Sequence, residues 1–111
     1  MQLACGFPAG ASLRIITQST RARPVESAAE AAKRAREALG GGEVGGAVVF
    51  DCVCRALILG EGFGDAVSAI ANELGGAPVG GLETYGEIAM NEGDMSGFHN
   101  TTSVVLAFPK Q

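Results

Sequence analysis

The sequence has few of the residue types on which many specialised sites depend. It has no tryptophan, one tyrosine and one histidine, so no site can use two histidine ligands. No apolar run approaches the roughly 20 residues of a membrane span. The N-terminus does not show the basic region followed by a hydrophobic stretch that indicates a signal peptide. We therefore expect a cytoplasmic chain with no membrane partner.

Basic side chains and cysteines are also scarce. Eight Lys and Arg residues stand against twelve Asp and Glu, giving a net charge of −4, whereas a phosphate-binding surface needs a clustered basic excess. Three cysteines without framework spacing are typical of reduced thiols. Cys5, Cys52, Cys54 and His99 match a zinc site in number, but C-x-C is a poor chelating step. We expect no nucleic-acid partner, no zinc and no cofactor.

What the sequence does have is 47% hydrophobic residues and 17 glycines in 111 residues, enough for one packed domain over residues 1–111. Its periodicities and turn residues predict an α+β fold in ββαβαββ order, with two main helices on a mixed, mostly antiparallel sheet of about five strands. The predicted elements are a hairpin of Gln2–Gly6 and Ser12–Gln18, a helix from Pro24 to Leu39, a strand over Gly46–Phe50, a helix from Asp65 to Leu74, an interrupted strand over Pro78–Ile88 and a strand over Ser103–Phe108.

Aspartates are expected to cap the helices after the first strand of the core. Asp51 would cap a short helix over Cys52–Leu59, and a strand through residues 57–59 is the competing interpretation. Asp65 would cap the second main helix, which Gly75 would end.

Polar clusters interrupt the apolar segments, and the first follows the predicted strand over Gly46–Phe50. Arg55 could present a planar fork to a carboxylate, with the Cys52 thiol beside it. The competing interpretation is structural: Asp51 caps the helix, Arg55 pairs with Asp51, and both cysteines pack as small core residues.

Two further clusters contain an isolated ionisable residue. Glu87 lies between apolar neighbours, where a buried carboxylate needs a partner or a role; the alternative is a solvent-facing residue on an alternating strand. His99 precedes the last strand, where a hydrogen bond that anchors the loop is the competing role. A nucleophile pair of His99 with Cys52 or Cys54 has no local signature to support it, so we expect that the protein is not an enzyme.

Together these segments resemble the C-terminal domain of FIST proteins, the FIST C domain. The resemblance covers nearly the whole chain, in the family's order. It rests on Phe7–Arg14 for the early "P-x-G-x-x-hydrophobic-R" turn, Val48–Gly60 for the hydrophobic strand and the Cys, Arg and Leu-rich segment, Pro78–Ile88 for "P-x-G-G … T/Y-G-E-I", and Phe98–Leu106 for the closing "hydrophobic-H-N-x-T" strand.

The resemblance implies a small-ligand-binding sensory domain of an intracellular signal-transduction protein, with an amino acid as a proposed ligand. The expected partners are the small molecule and the FIST N-terminal domain or a signalling protein, and we expect the N-terminal domain to be absent from this chain. We expect the pocket to be lined by Cys52, Arg55, Tyr85, Glu87, His99 and Asn100.

Other functions stay open on the same residues. Some family members are associated with haem-based nitric-oxide sensing, for which His99 is the one available imidazole. A cysteine-dependent enzyme and an interaction scaffold, with the alanine-rich helix docking a partner, are the remaining alternatives. For a shared ligand site, Arg55 and Glu87 must lie within reach of each other or of a common ligand.

Overall fold

The structure, a computed structural model, describes residues 9, 10, 12, 22–90 and 97–111. Apart from Ser12, the predicted N-terminal hairpin lies outside these residues. The elements, in chain order, are α1 (Ala22–Glu37), β1 (Val44–Cys52), α2 (Val53–Leu59), a 3₁₀ turn (Gly60–Gly62), α3 (Phe63–Glu73), β2 (Val79–Thr84), β3 (Glu87–Ile88), β4 (Phe98–His99) and β5 (Ser103–Pro109).

Helix α1 forms where the apolar periodicity and Pro24 predict it. Pro24 lies in the first turn, where a missing N–H costs no intrahelical hydrogen bond. Ala28 and Ala32 lie on the buried face of the helix and are completely covered. Gly40, with a φ of 70°, follows the last turn and adopts the left-handed conformation that glycine takes without strain.

Strand β1 is the centre of a three-stranded mixed sheet. Its neighbours are β2, which runs parallel to it, and β5, which runs antiparallel. Ala47 and Val49 alternate toward one face, as the two-residue period of a strand requires, and there they join the core formed with α1 and α3. The core comprises Ala28, Ala32, Ala47, Val49, Leu59, Ala66, Ile70 and Leu74.

The α+β class and the two main helices are confirmed, but the predicted sheet is only partly right. The described strands form two sheets, because β3 pairs antiparallel with β4 and not with β1. The predicted strand over Pro78–Ile88 is broken between Thr84 and Glu87. The break places Gly86 against an aromatic ring: a Cβ on Gly86 would lie 2.7 Å from Cε2 of Phe98.

Both predicted aspartate caps are wrong, while the short helix over residues 53–59 is confirmed against the competing strand. Asp51 is still part of β1, and its carboxylate bonds to Arg55 and Ser103; Cys52 is the N-cap of α2, without a side-chain cap bond. Helix α3 starts at Phe63, so Asp65 lies inside its first turn, where a negative charge still suits the helix dipole.

The parallel pairing of β1 and β2 depends on a glycine. Gly81 is opposite Val49 in the register, and a Cβ at position 81 would overlap the carbonyl oxygen of Val49. A glycine inside a strand predicts such a close backbone approach. At Gly80 an added Cβ would meet nothing within 4 Å. Of these two neighbouring glycines, Gly81 is therefore the one at which the strand pairing excludes a side chain.

Candidate functional site

A buried ion pair fixes the start of α2 to the end of β1. The Nε of Arg55 donates to Oδ1 of Asp51 at 2.7 Å, and the two side chains are 4% and 8% exposed. The Oγ of Ser103, on β5, donates to the same carboxylate oxygen. Burying two charges is tolerable only when they are paired and hydrogen-bonded, and here both conditions are met.

The guanidinium of Arg55 also bonds to α1. One terminal nitrogen donates to Oγ of Ser27 at 3.1 Å and the other to the carbonyl oxygen of Pro24 at 2.7 Å. An arginine has five N–H groups, so these bonds and the ion pair leave two without a partner among the described residues. The guanidinium is therefore held in one orientation with donor capacity to spare.

Arg55 lies in the wall of an open cleft of about 570 Å³ between α1 and α2. The other lining residues are Arg23, Pro24, Glu26, Ser27, Glu30, Ile58 and Thr101. Within the described part of the chain, Arg23 and Glu26 have no ion-pair partner, whereas Glu30 pairs with Arg34. The cleft therefore contains unpaired charges of both signs.

Thr101 closes one end of this cleft in an uncommon backbone conformation. Its φ is 58°, which for a β-branched residue is a strained left-handed conformation. Such strain persists only where surrounding contacts hold it and is frequent at functional sites. Its side chain also acts to lower the pKa of the Cys54 thiol, so Thr101 lies beside both the cleft and the thiols described next.

Behind Thr101 lies a cluster of thiols and a carboxylate, at the carboxyl ends of β1 and β2. Cys52 and Thr84 are opposite each other in the parallel register. The Oγ1 of Thr84 donates to Oε1 of Glu87 at 2.7 Å. Glu87 is 1% exposed, and its Oε2 has no hydrogen-bond partner in the described structure. The carboxyl ends of parallel strands are where α/β sheets bind ligands.

The two thiols of this cluster influence each other. The pKa of the Cys54 thiol is raised mainly by its hydrogen-bonding and charge interactions with Cys52, and further by burial and the charge of Glu87. The interaction with Thr101 acts in the opposite direction. Cys52 is buried and Cys54 is partly exposed.

The structure places Arg55 and Glu87 near the same strand end without a direct ion pair. Arg55 bonds to the side chain of Asp51, while Thr84, which holds Glu87, also donates to the backbone oxygen of Asp51 at 3.4 Å. Both charged side chains are buried. A ligand common to Arg55 and Glu87 stays a prediction.

The other predicted site residues are more dispersed. His99 is opposite Glu87 in the β3–β4 pair, and its Nε2 lies 2.9 Å from the carbonyl oxygen of Ala89. Tyr85 is 91% exposed. The carbonyl oxygen of Asn100 accepts a hydrogen bond from Oγ1 of Thr102 at 3.0 Å. These placements fit loop anchoring for His99, and they leave the ligand-binding roles of Tyr85, His99 and Asn100 as predictions.

Sequence reasoning did not single out three residues of the cleft: Arg23, Glu26 and Thr101. Arg23 and Glu26 lie on a helix that carries charges of both signs, and no local pattern distinguishes them from its other charges. For the buried ion pair, the four-residue spacing of Asp51 and Arg55 was the available signal.

No group of three or more His, Cys, Asp or Glu residues in the described part of the chain has an arrangement that could hold a metal ion. No helix in that part of the chain is long and apolar enough to cross a membrane.

The fold defines a small α+β domain whose buried polar groups gather at the carboxyl ends of two parallel strands. The family model of the FIST C domain matches residues 1–90. The chain therefore belongs to the FIST C domain family, which is associated with sensory roles in signalling. No curated protein and no solved structure matches the chain. The resemblance over Phe98–Leu106 lies beyond the matched residues and stays a prediction.

Proposed function

We propose that this domain is a sensory domain that binds a free amino acid in the cleft between α1 and α2. The observation that carries the proposal is the lining of the cleft, where a fixed guanidinium and charges of both signs that have no ion-pair partner among the described residues border an open space of about 570 Å³. A zwitterion needs a cationic and an anionic contact a few ångströms apart. Small-ligand sites commonly have volumes of about 300–1,000 Å³.

Arg55 and Arg23 supply the contact for the ligand carboxylate. Arg55 is already oriented by Asp51, Ser27 and Pro24, so binding does not have to immobilise its side chain. Its two N–H groups that have no partner among the described residues are charge-assisted donors, which suit a carboxylate. Arg23, on the exposed rim, adds the compensating positive charge, because the charge of Arg55 is already balanced by Asp51.

Glu26 supplies the contact for the ligand ammonium group. Glu30 lines the same cleft but accepts from Nε of Arg34 at 2.9 Å, so Glu26 is the lining carboxylate that has no ion-pair partner in the described part of the chain. At the end of the cleft, Thr101 connects a bound ligand to Cys54 and the buried cluster with Cys52 and Glu87. In this proposal those buried residues respond to the ligand through Thr101.

Calorimetric titration with the L-amino acids tests the proposal, together with matched amines that lack the carboxylate and matched acids that lack the amino group. We expect one or a few amino acids to bind and both analogue series to fail. Arg23→Gln and Glu26→Gln should each weaken binding about tenfold or more, since a hydrogen bond to a charged group contributes about 1.5–3 kcal/mol.

The matched controls are Lys33→Gln and Glu37→Gln, which change the same charges on the same helix outside the cleft. They should leave the affinity unchanged. If no amino acid binds at millimolar concentration, or if the controls weaken binding as much as the cleft variants do, the proposal is wrong.

A further inference from the structure

The cysteine pair has a chemistry that amino-acid binding does not use. Cys52 ends β1 and Cys54 lies in the first turn of α2, with one residue between them in the chain. Both are free thiols. Two residues separated by one other lie within about 7 Å of each other even in an extended chain, and the turn from strand into helix shortens this distance. A disulfide needs Cα atoms about 4.4–6.8 Å apart.

Neighbouring contacts fix the two elements that carry Cys52 and Cys54 to each other. The Asp51–Arg55 ion pair fixes the first turn of α2 to the last residues of β1, and Cys52 and Cys54 lie on the same two elements. The backbone N–H of Cys52 donates to the carbonyl oxygen of Thr102 at 3.0 Å, which fixes the strand end to the segment before β5. Forming a disulfide between Cys52 and Cys54 therefore requires little movement of the chain.

We propose that Cys52 and Cys54 form a reversible intramolecular disulfide, with a low-molecular-weight disulfide such as glutathione disulfide as the oxidant. The Cys54 thiolate attacks one sulfur of the oxidant, forming a mixed disulfide and releasing one small thiolate. The Cys52 thiolate then attacks the Cys54 sulfur, forming the Cys52–Cys54 bond and releasing the second small thiolate. The two protons lost by the cysteines go to the two released thiolates, and the protein loses two electrons to the oxidant.

The two cysteines have different roles because their exposure differs. Cys54 is partly exposed and can reach the oxidant, whereas Cys52 is 1% exposed and can attack only a sulfur already bound to Cys54. The raised pKa of Cys54 makes the first step slow at neutral pH, because a smaller fraction of the thiol is ionised. This inference does not rest on amino-acid binding.

The experiment uses the full chain carrying Cys5→Ser, so that Cys52 and Cys54 are its two remaining thiols. The folded protein is incubated with glutathione disulfide, quenched with acid and measured by intact mass. We expect a monomer that has lost two hydrogen atoms, with no free thiol and no attached glutathione, and full recovery of both thiols on reduction. With Cys52→Ala added, the reaction should stop at one glutathione on Cys54.

With Cys54→Ala in place of Cys52→Ala, the folded chain should stay unmodified, because the remaining thiol is buried. Circular dichroism of both variants checks that they are folded, and repeating the oxidation in denaturant shows that each remaining thiol reacts once exposed. A stable glutathione adduct on the chain that retains both cysteines, a disulfide between two chains, or no reaction of folded protein at pH about 10, above the usual pKa of a thiol, would each overturn the proposal.

Discussion

Replacing Arg55 by methionine tests how far the fold depends on the buried ion pair. Methionine keeps most of the length of the side chain but removes the guanidinium. The carboxylate of Asp51 then loses its ion-pair partner while it stays 6% exposed, with the hydroxyl of Ser103 as its remaining side-chain donor. The backbone oxygen of Pro24 and the hydroxyl of Ser27 also lose a donor.

The expected cost follows from the burial of both partners. Removing one member of a buried ion pair typically destabilises a protein by about 3–5 kcal/mol, because it leaves an uncompensated charge in the interior. The bonds that link Arg55 to α1 place this variant at the upper end of that range. Since a small domain is stable by about 5–15 kcal/mol in total, Arg55→Met should bring the protein close to unfolding at room temperature.

Urea denaturation followed by circular dichroism measures the effect. With a slope of about 2 kcal/mol per molar urea, the midpoint should fall by roughly 1.5–2.5 M. The matched control is Arg34→Met, because Arg34 pairs with Glu30 at the same four-residue spacing and at 2.9 Å, but on an exposed surface. That variant should denature at the midpoint of the unchanged protein.

A second variant separates the charge from the volume of the side chain. In the double variant Asp51→Leu, Arg55→Met, no charge stays buried without a partner, so it should be distinctly more stable than Arg55→Met alone. If Arg55→Met costs less than about 1 kcal/mol, or if the double variant is the less stable of the two, the ion pair does not hold α2 to β1 as argued.

The remaining predictions concern separate features. In the Cys5→Ser background, the alkylation rate of Cys54 should rise with pH, and the pH of half-maximal rate should lie above that of an ordinary thiol. Cys52→Ala should lower this midpoint, because it removes the main cause of the raised pKa. An unchanged midpoint would contradict this. Gly81→Ala should destabilise the fold by about 1–3 kcal/mol, because the added methyl group overlaps a carbonyl of β1. Gly80→Ala should not destabilise it, because a methyl group there meets open space. Equal effects of the two substitutions would argue against the close approach at Gly81. Haem titration should give no sharp Soret band, since Nε2 of His99 already contacts a backbone oxygen; a band that disappears in His99→Ala would contradict this and favour gas sensing.

The parts of the fold that the sequence predicts are those with local signals. Helix α1 has its proline, its alanine stripe and its terminal glycines within one continuous segment, and β1 is a continuous apolar run. The role of Asp51 is different, because both a helix cap and an ion pair fit its position beside α2. Contacts with other parts of the chain decide between these two roles. Asp51 bonds to Ser103, which is 52 residues away, and to Arg55, which α1 holds through Pro24 and Ser27. No local pattern contains that information.

The candidate site was predictable only in part, for the same reason. Cys52, Arg55 and Glu87 are unusual within their own segments, and the structure places them near one strand end. The rim charges Arg23 and Glu26 resemble any exposed helix charges until α2 is packed beside them. The break between β2 and β3 was signalled by glycine, but the pairing of β3 with β4 depends on residues further along the chain.

Two neighbouring residues at the end of β1 connect the cleft with the thiol pair. Side chains alternate along a strand, so Asp51 and Cys52 point to opposite faces of the sheet. Asp51 holds Arg55 beside the proposed cleft, and Cys52 is the partner of Cys54 in the proposed disulfide. Arg55 and Cys54 are consecutive residues of the first turn of α2. A shift of this turn cannot move one of them and leave the other in place. If both proposals hold, an occupied cleft and an oxidised cysteine pair therefore act on the same turn of helix.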